Sequence, residues 1–398
     1  MFDSKIKYLE TSFLVSSIGN WLYRLAIPII ILEKSGSASQ AATAFGISFI
    51  PWIVFSLIGG SLADNFNKRS ILILGNIFAS FFTLFVIISV ILPEINFKML
   101  YIAIFLLASI DPLIHPSFQS IIPELSLSDD FVKINATIQT IDNTLSILGP
   151  LIGGSLVVCL GSVNVLWINV FSFLLASLLL LKLSKSDKKE NIKIDNLLSK
   201  LWKDTKEGAT YSFSSRTIFS GSLMFLATNF AINLFDANFI YYMTKMIKLP
   251  LIDATIAMSI AGIGALVAGL IGFKFIGFLR AGQILVFSTI SAGLTTFLLL
   301  FTRNYLLIGL ILGLVSFFGT INVITYFSLR QRTVPTEILG RVVAVTRMIS
   351  YASIPFGSFM GGWLLTHGKS MTLVIFLAGF IRTISGIGAY FSPLGKEK

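Results

Sequence analysis

The sequence predicts an all-α membrane protein in which twelve transmembrane helices form two pseudo-symmetric bundles of six. Three observations lead to this fold class. Of the 398 residues, 55% are hydrophobic and only 12% are charged, and the mean hydropathy is +0.86, whereas soluble domains carry about 25% charged residues. The apolar residues fall in separate runs of about 20, long enough for a helix to cross a hydrocarbon core of about 30 Å. One polar segment divides the runs into two groups.

Gly, Pro, Asn and charged residues mark the loops between the predicted spans. The spans of the first half lie near 9–32, 41–63, 70–92, 99–121, 134–158 and 163–183. The spans of the second half lie near 217–242, 251–275, 281–302, 305–329, 338–365 and 370–392. The first span follows Lys5 and Lys7 and lacks the cleavage pattern of a signal peptide, so we expect it to remain uncleaved. Barrel strands are a poor alternative, because they would alternate with period two over about 10 residues.

The long polar segment is predicted to be a linker between two bundles. Residues 1–183 form the predicted N-terminal bundle, and residues 217–398 form the C-terminal one. The cytoplasmic linker, 184–216, carries apolar residues at helical spacing, namely Leu197, Leu198, Leu201 and Trp202. This spacing favours a short amphipathic helix on the inner membrane surface, and a solvated connector is the alternative.

The distribution of Lys and Arg orients the helices. With both termini placed in the cytoplasm, 22 of the 30 Lys and Arg residues lie on the inner side, while Arg24 and Arg382 lie within spans. This is the positive-inside pattern. We therefore expect a multi-pass protein that is surrounded by the lipid bilayer and has both termini in the cytoplasm. Topology explains the net charge of +11, so no nucleic-acid partner is expected.

Enzymatic and metal chemistry find little support in the sequence. His115 and His367 are far apart and Cys159 is the single cysteine, so we expect no metal site, no disulfide and no catalytic set. Cys159 itself is expected to be a small buried hydrophobe. The phosphate-binding pattern Gly-x-x-x-x-Gly-Lys-Ser/Thr is absent, so we expect neither a nucleotide cofactor nor a primary pump. A rocking carrier for a small molecule is favoured over an enzyme or a pore.

The two halves are related in sequence. Similar groups of residues recur in the two halves at separations of about 205 to 211 residues. Gly19 and Asn20 correspond to Thr228 and Asn229, and the group Pro150, Gly153 and Gly154 corresponds to Pro355, Gly357, Gly361 and Gly362. A duplicated six-helix unit is typical of transporters that bind their substrate near mid-membrane.

The turn between the second and third spans has the features of a gate. Glycines allow close helix approach, and an acidic side chain there can cap a helix or pair with arginine in one conformational state. The segment resembles the inner-loop motif of the major facilitator superfamily, whose gating positions are matched by Gly60, Asp64, Lys68 and Arg69. The alternative is a simple basic turn.

A second motif lies in the predicted fifth span. Gly149, Pro150, Gly153 and Gly154 resemble the signature of the drug:proton antiporters of that superfamily, although Leu145 stands at the motif's earlier glycine. The resemblance implies proton antiport. Close helix packing is the competing explanation.

Three further segments resemble the macrolide-efflux and siderophore-export group of the superfamily. They are residues 32–38, 50–52 and 334–357. The resemblance implies an exporter of amphipathic organic molecules in the bacterial inner membrane, with a siderophore or a lysophospholipid as the alternative cargo. It also favours a monomer.

Ionisable residues inside spans are costly and are therefore functional candidates. Asp111 and His115 lie one helical turn apart on the predicted fourth span, where Ala108 stands at the place of an arginine that many antiporters of the superfamily carry. A carboxyl group and an imidazole can both exchange protons near neutral pH. The alternative is a helix-breaking Asp-Pro pair with a structural histidine.

Asp142 and Asp236 complete the set of predicted proton-coupling residues. Arg24 is expected to pair with Asp142 or Asp111, and a purely structural ion pair is the alternative. Polar and aromatic residues beside these charges are predicted to line the substrate cavity. They are Asn20, Trp21, Arg24, Gln139, Asn143, Asn229, Asn233, Phe235 and Tyr326.

Overall fold

The computed structural model describes residues 4–92, 96–125, 131–183, 194–276, 280–335 and 338–397, and every regular element in these ranges is helical. Twelve of the described helices are long and apolar enough to cross a membrane. The prediction of an all-α protein with twelve transmembrane helices is therefore confirmed.

The helices follow one another with short connections. The first six are α1 Ser4–Ser35, α2 Ala38–Asn65, α3 Lys68–Ile91, α4 Phe97–Leu125, α5 Phe131–Leu160 and α6 Ser162–Leu180. A further helix, α7 Ile194–Ser214, lies within the predicted linker. The others are α8 Arg216–Asp236, α9 Phe239–Tyr241, α10 Leu251–Ile276, α11 Ala281–Phe297, α12 Tyr305–Thr333, α13 Leu339–Thr366 and α14 Met371–Phe391. Single turns of other helix types cover Tyr242–Met246, Leu298–Phe301 and Pro393–Lys396.

The seventh span is interrupted, although the sequence predicts one continuous helix over 217–242. Helix α8 ends at Asp236, and α9 and a π-helical turn continue the span to Met246. The Asn238 side chain donates from Nδ2 to the carbonyl oxygen of Leu234 at 3.1 Å, which partly satisfies a carbonyl that the helix end leaves free. The break places the Asp236 carboxylate at a helix terminus inside an apolar span.

The chain clusters into two compact units. Unit 1 consists of Met1–Lys34 and Ile50–Leu201, and unit 2 consists of Ser35–Phe49 and Trp202–Lys398. The first part of α2 groups with unit 2 because small residues let it approach α13: a methyl group added at Gly362 would lie 2.7 Å from the Cβ of Ala42.

Glycines of α5 let α1 pack closely in unit 1. A methyl group added at Gly149 would lie 2.9 Å from the indole of Trp21, and one added at Gly153 would lie 2.9 Å from a methyl of Leu25. Gly149 and Gly153 therefore have a packing role. Close helix packing is the alternative that the sequence leaves open for the motif that resembles the antiporter signature.

The same packing recurs in unit 2 between α13 and α8. Methyl groups added at Gly357 and Gly361 would collide with the carbonyl oxygens of Phe230 and Leu234. Each glycine stands 208 residues after its counterpart in α5, and each partner stands 209 residues after its counterpart in α1. The internal duplication predicted from the sequence is thus visible as a repeated helix contact.

Cys159 corrects one expectation. Its side chain is exposed, as are those of the neighbouring Val158 and Leu160. The prediction of a buried cysteine is wrong because an apolar residue of a spanning helix can face lipid as readily as the protein interior.

Candidate functional site

Three charged side chains from separate helices of unit 1 form a charged cluster: Arg24 of α1, Asp111 of α4 and Asp142 of α5. Arg24 interacts electrostatically with both carboxylates, and the two carboxylates interact with each other. All three side chains are exposed although they belong to apolar spans. Because charges avoid hydrocarbon, such a cluster is expected to face a water-filled cavity rather than lipid.

Arg24 is not locked to one of the acids. In the part of the chain that the structure describes, ion pairs within 4.0 Å join Arg341 to Asp204 and Glu207, and Arg24 makes none. Its guanidinium lies over the indole of Trp21, 5.8 Å from the ring centroid. The guanidinium thus balances two carboxylates at longer range, whereas the sequence predicts a pair with one of them.

His115 extends the cluster along α4. It lies one turn beyond Asp111 and interacts with it electrostatically. The imidazole also meets the indole of Trp52 from α2, with ring centroids 5.9 Å apart in an edge-to-face arrangement. The aromatic contact fixes the orientation of a ring that can carry a proton.

The crossing of α2 and α4 determines where Asp111 stands. A methyl group added at Gly59 would collide with the carbonyl oxygen of Pro112 and lie 3.0 Å from the Cα of Leu113. At Gly60, nothing lies within 4 Å of such a methyl group. The close approach beside Asp111 therefore depends on Gly59, whereas the motif resemblance points to Gly60. The only sequence signal for this role is the Gly-Gly pair itself.

The basic residues of the inner-loop motif bind backbone carbonyls of α4 and of the end of α6. Lys68 donates from Nζ to the carbonyl oxygen of Ser120 in α4 at 3.2 Å. Arg69 donates from Nε to the carbonyl oxygen of Leu180 at 3.1 Å and also to that of Leu181. Leu180 and Leu181 stand at the C-terminal end of α6, where carbonyls carry partial negative charge and favour a cationic partner. The motif thereby ties the start of α3 to α4 and α6. The side chain of Asp64 lies outside the described residues.

The remaining predicted residues of unit 1 accompany the cluster on α1 and α5. Gln139 donates from Nε2 to Oδ1 of Asn143 at 3.0 Å, one turn along the helix. Asn20 is half-buried on α1, while Pro150 and Gly154 are buried. Gln139 and Asn143 therefore add hydrogen-bonding capacity beside Asp142.

The predicted cavity residues of unit 2 are largely engaged in packing. Asn229 donates from Nδ2 to the carbonyl oxygen of Ser350 at 3.0 Å, and Asn233 donates to that of Asn229 at 2.8 Å. Phe235 and Tyr326, predicted as cavity walls, are instead buried inside unit 2.

Asp236 has an exposed side chain at the end of α8. It interacts electrostatically with Arg382 of α14, whose side chain is only 2% exposed. The sequence identifies Arg382 only as an ionisable residue within a span. Its relation to Asp236 depends on the packing of α14 against α8, for which the sequence carries no local signal.

Among the described residues, no group of three or more His, Cys, Asp or Glu side chains is placed to hold a metal ion. Exposed charges within apolar helices are instead typical of ion and substrate pathways.

Comparisons with known proteins agree with this architecture. The chain is 25% identical over 384 residues to the uncharacterized MFS-type transporter YfiS of Bacillus subtilis (strain 168), covering 94% of this chain and 89% of that one. It is 22% identical over 393 residues to the multidrug efflux pump Tap of Mycolicibacterium fortuitum, covering 96% and 94%. Its fold is similar to that of the nucleoside transporter NupG, with a TM-score of 0.78, 14% identity and coverage of 97% and 99%.

A family model shows the family to which the chain belongs. The Major Facilitator Superfamily model matches residues 10–358, most of the chain. This match agrees with the twelve apolar helices. It also agrees with the relatives named as transporters, which align with this chain over nearly their whole length. The protein is therefore a multi-pass membrane transporter that belongs to the major facilitator superfamily.

Proposed function

We propose that the protein is a secondary active exporter that moves amphipathic organic small molecules across the inner membrane by alternating access, in exchange for protons. It works as a monomer with both termini in the cytoplasm. The observation that carries the proposal is the charged cluster of Arg24, Asp111 and Asp142 on spanning helices of unit 1. The name of the relative Tap, a multidrug efflux pump, supports the class of cargo.

The charge balance of the cluster supports exchange. With His115 neutral and the other three side chains ionised, two carboxylates and one guanidinium leave one negative charge in excess. A proton on either acid restores neutrality, and so does a cationic group on a bound cargo. Binding both at once would leave an uncompensated positive charge within the membrane, which is costly. Protons and cationic cargo are therefore expected to bind alternately, as antiport requires.

The residues around the cluster suit an amphipathic cargo. The indoles of Trp21 and Trp52 offer apolar surface next to the charges, and the amides of Gln139 and Asn143 offer hydrogen bonds. A mostly apolar wall with a few directed polar groups is typical of small-molecule sites.

The test is proton release from proteoliposomes with an imposed proton gradient. A macrolide, a siderophore and a lysophospholipid are offered in turn, so that the assay also identifies the cargo class. We expect cargo-driven proton movement with the macrolide, and at least about tenfold less of it in Asp142→Asn and Asp111→Asn. Asp253→Asn, which alters an acid at the start of α10, is the matched control and is expected to behave like the wild type.

The outcomes separate the parts of the proposal. Cargo movement without proton flux would exclude antiport. Coupling that survives in both cluster variants would exclude these acids as the proton carriers. A response to the siderophore or the lysophospholipid alone would keep the exporter and replace its cargo.

A further inference from the structure

Helix α7 carries a line of side chains that includes exposed aromatic and basic groups. Trp202, Lys206, Ala209 and Phe213 are spaced at i, i+4, i+7 and i+11, so they lie along one face of the helix. Trp202 is 74% exposed and Phe213 is 58% exposed, and Lys206 is exposed between them. We refer to these four residues as the α7 stripe. Exposed aromatic surface of this kind marks a contact with a partner or with a membrane.

The opposite face of α7 is docked on the ends of two spanning helices. At about 100° per residue, Asp204 and Tyr211 stand about 200° and about 180° around the helix from Trp202. Asp204 pairs with Arg341 at the start of α13, and the Tyr211 hydroxyl donates to the carbonyl oxygen of Thr333 at the end of α12. Because contacts two turns apart on α7 both reach the ends of spans, the helix runs along the membrane surface rather than away from it.

An aromatic contact joins the α7 stripe to an exposed part of the next helix. Ser215 alone separates α7 from α8, whose membrane span begins at Arg216. The ring of Phe213 lies 5.5 Å from that of Phe219, centroid to centroid, and Phe219 is 38% exposed within the first turn of that span. An exposed apolar side chain on a span is solvated by lipid. Phe213 therefore stands at the edge of the hydrocarbon region, and the α7 stripe is turned towards the bilayer.

The charges around the α7 stripe suit an anionic surface. Lys203 and Arg216 are exposed, as is Lys206 within the stripe. The segment from Trp202 to Arg216, taken together with Arg341, carries four basic and two acidic residues, and both acids pair with Arg341 on the docked face. A positive charge remains on the exposed side. Anionic lipid headgroups attract such basic segments, and aromatic rings combined with lysines are typical of helices that lie in the membrane interface.

We propose that α7 binds the surface of the lipid bilayer through its stripe. Trp202 and Phe213 insert at the level of the headgroups, and Lys203, Lys206 and Arg216 bind the phosphates of anionic lipids. The partner of this surface is the membrane itself, because Phe213 continues the lipid-facing surface of α8. Bound in this way, α7 ties the entrance of α8 to the bilayer. The inference goes beyond the proposed exporter function and does not depend on the cargo or on proton exchange.

The first test locates Trp202 in protein reconstituted into nanodiscs of phosphatidylcholine and phosphatidylglycerol. Its fluorescence is the difference between the wild type and Trp202→Phe. We expect lipids brominated on the acyl chain close to the glycerol to quench this signal by about half or more, and acrylamide in the buffer to quench it several-fold less than free tryptophan. Acrylamide quenching equal to that of free tryptophan, without quenching by the brominated lipid, would overturn the inference and assign the α7 stripe to a soluble partner.

The second test removes charge and keeps the aromatic rings. Lys203→Gln combined with Lys206→Gln should reduce the quenching of Trp202 by the brominated lipid at least about threefold. Lys245→Gln combined with Lys369→Gln, which removes two exposed lysines at the other ends of the spans, is the matched control and should behave like the wild type. Trp202→Phe is made in each background to isolate the signal.

The composition of the lipid identifies the headgroup that binds. Replacement of phosphatidylglycerol by phosphatidylcholine should weaken the quenching of Trp202 in the wild type and have little further effect when Lys203 and Lys206 are both changed. Equal quenching in the two lipids would exclude anionic headgroups as the partner of these lysines. Both tests measure contact with lipid and require no cargo movement, so their failure is distinct from failure of the exporter proposal.

Discussion

Two adjacent glycines at the end of α2 show how strongly the role of a residue depends on a neighbouring helix. Gly59 faces the backbone of α4 at Pro112, while Gly60 faces open space. Gly59→Ala should destabilise the protein by about 1–3 kcal/mol because backbone atoms must shift. Gly60→Ala, its matched control, should be neutral or slightly stabilising, because alanine favours a helix over glycine.

Thermal unfolding in detergent measures the difference between these two variants. The Gly59 substitution should also weaken cargo-coupled proton flux, because Asp111 is the residue before Pro112. Equal unfolding temperatures for the two variants would contradict the assigned helix crossing.

The charges of unit 1 were predictable as individuals, because a charged residue stands out within an apolar run. Arg24, Asp111 and Asp142 could be named from the sequence, and even their proximity followed from a resemblance. The interaction of Arg24 with both acids could not be predicted, because it depends on the rotation of three helices about their axes.

At the scale of elements, the part of α7 from Trp202 onward is held to the rest of unit 2 by a compact set of contacts. Arg341 at the start of α13 pairs with Asp204 at 3.0 Å and with Glu207. The backbone of Arg341 also lies against Gly208, and Tyr211 donates from its hydroxyl to the carbonyl oxygen of Thr333 at 2.8 Å. The helix is therefore docked on protein along one face, while Trp202 on another face is 74% exposed.

Removal of this anchor should loosen α7. Arg341→Gln removes two partly exposed ion pairs, together worth about 1 kcal/mol, so hydrogen exchange of the α7 amides should become several-fold faster. Arg332→Gln, at the exposed end of α12, should leave exchange unchanged. An unaltered exchange rate in Arg341→Gln would mean that Gly208 and Tyr211 suffice to hold the helix.

The broken seventh span is also a matter of elements. Residues 217–242 form one apolar run, so sequence reasoning extends a single helix through Asp236. The structure ends α8 there, and the Asn238 side chain donates to the carbonyl of Leu234 that the helix end leaves free. An asparagine side chain can replace a backbone donor wherever packing allows it. The sequence does not show which asparagine of the span does so.

For the whole molecule, the charge distribution makes a prediction about orientation. The predicted spans place most Lys and Arg residues on the side of the two termini, so we expect the C-terminus in the cytoplasm. A green fluorescent protein fused after Glu397 should therefore fluoresce, and one fused after Lys248, in the opposite loop, should not. Alkaline phosphatase fusions at the same positions should give the reverse pattern. Fluorescence from the Lys248 fusion would mean that this loop lies in the cytoplasm. The predicted orientation would then be wrong, and so would the proposed direction of transport.

The sequence by itself determined the helical class, the number of spans, the internal duplication and the charged residues inside the membrane. These features follow from hydropathy and charge along the chain, which are local properties. The tertiary structure alone decided that Gly59 rather than Gly60 makes the helix crossing, that Cys159 is exposed and that Asp236 interacts with Arg382. The physical reason is that lipid is as apolar as the protein interior, so the apolar pattern of a spanning helix does not mark its buried face.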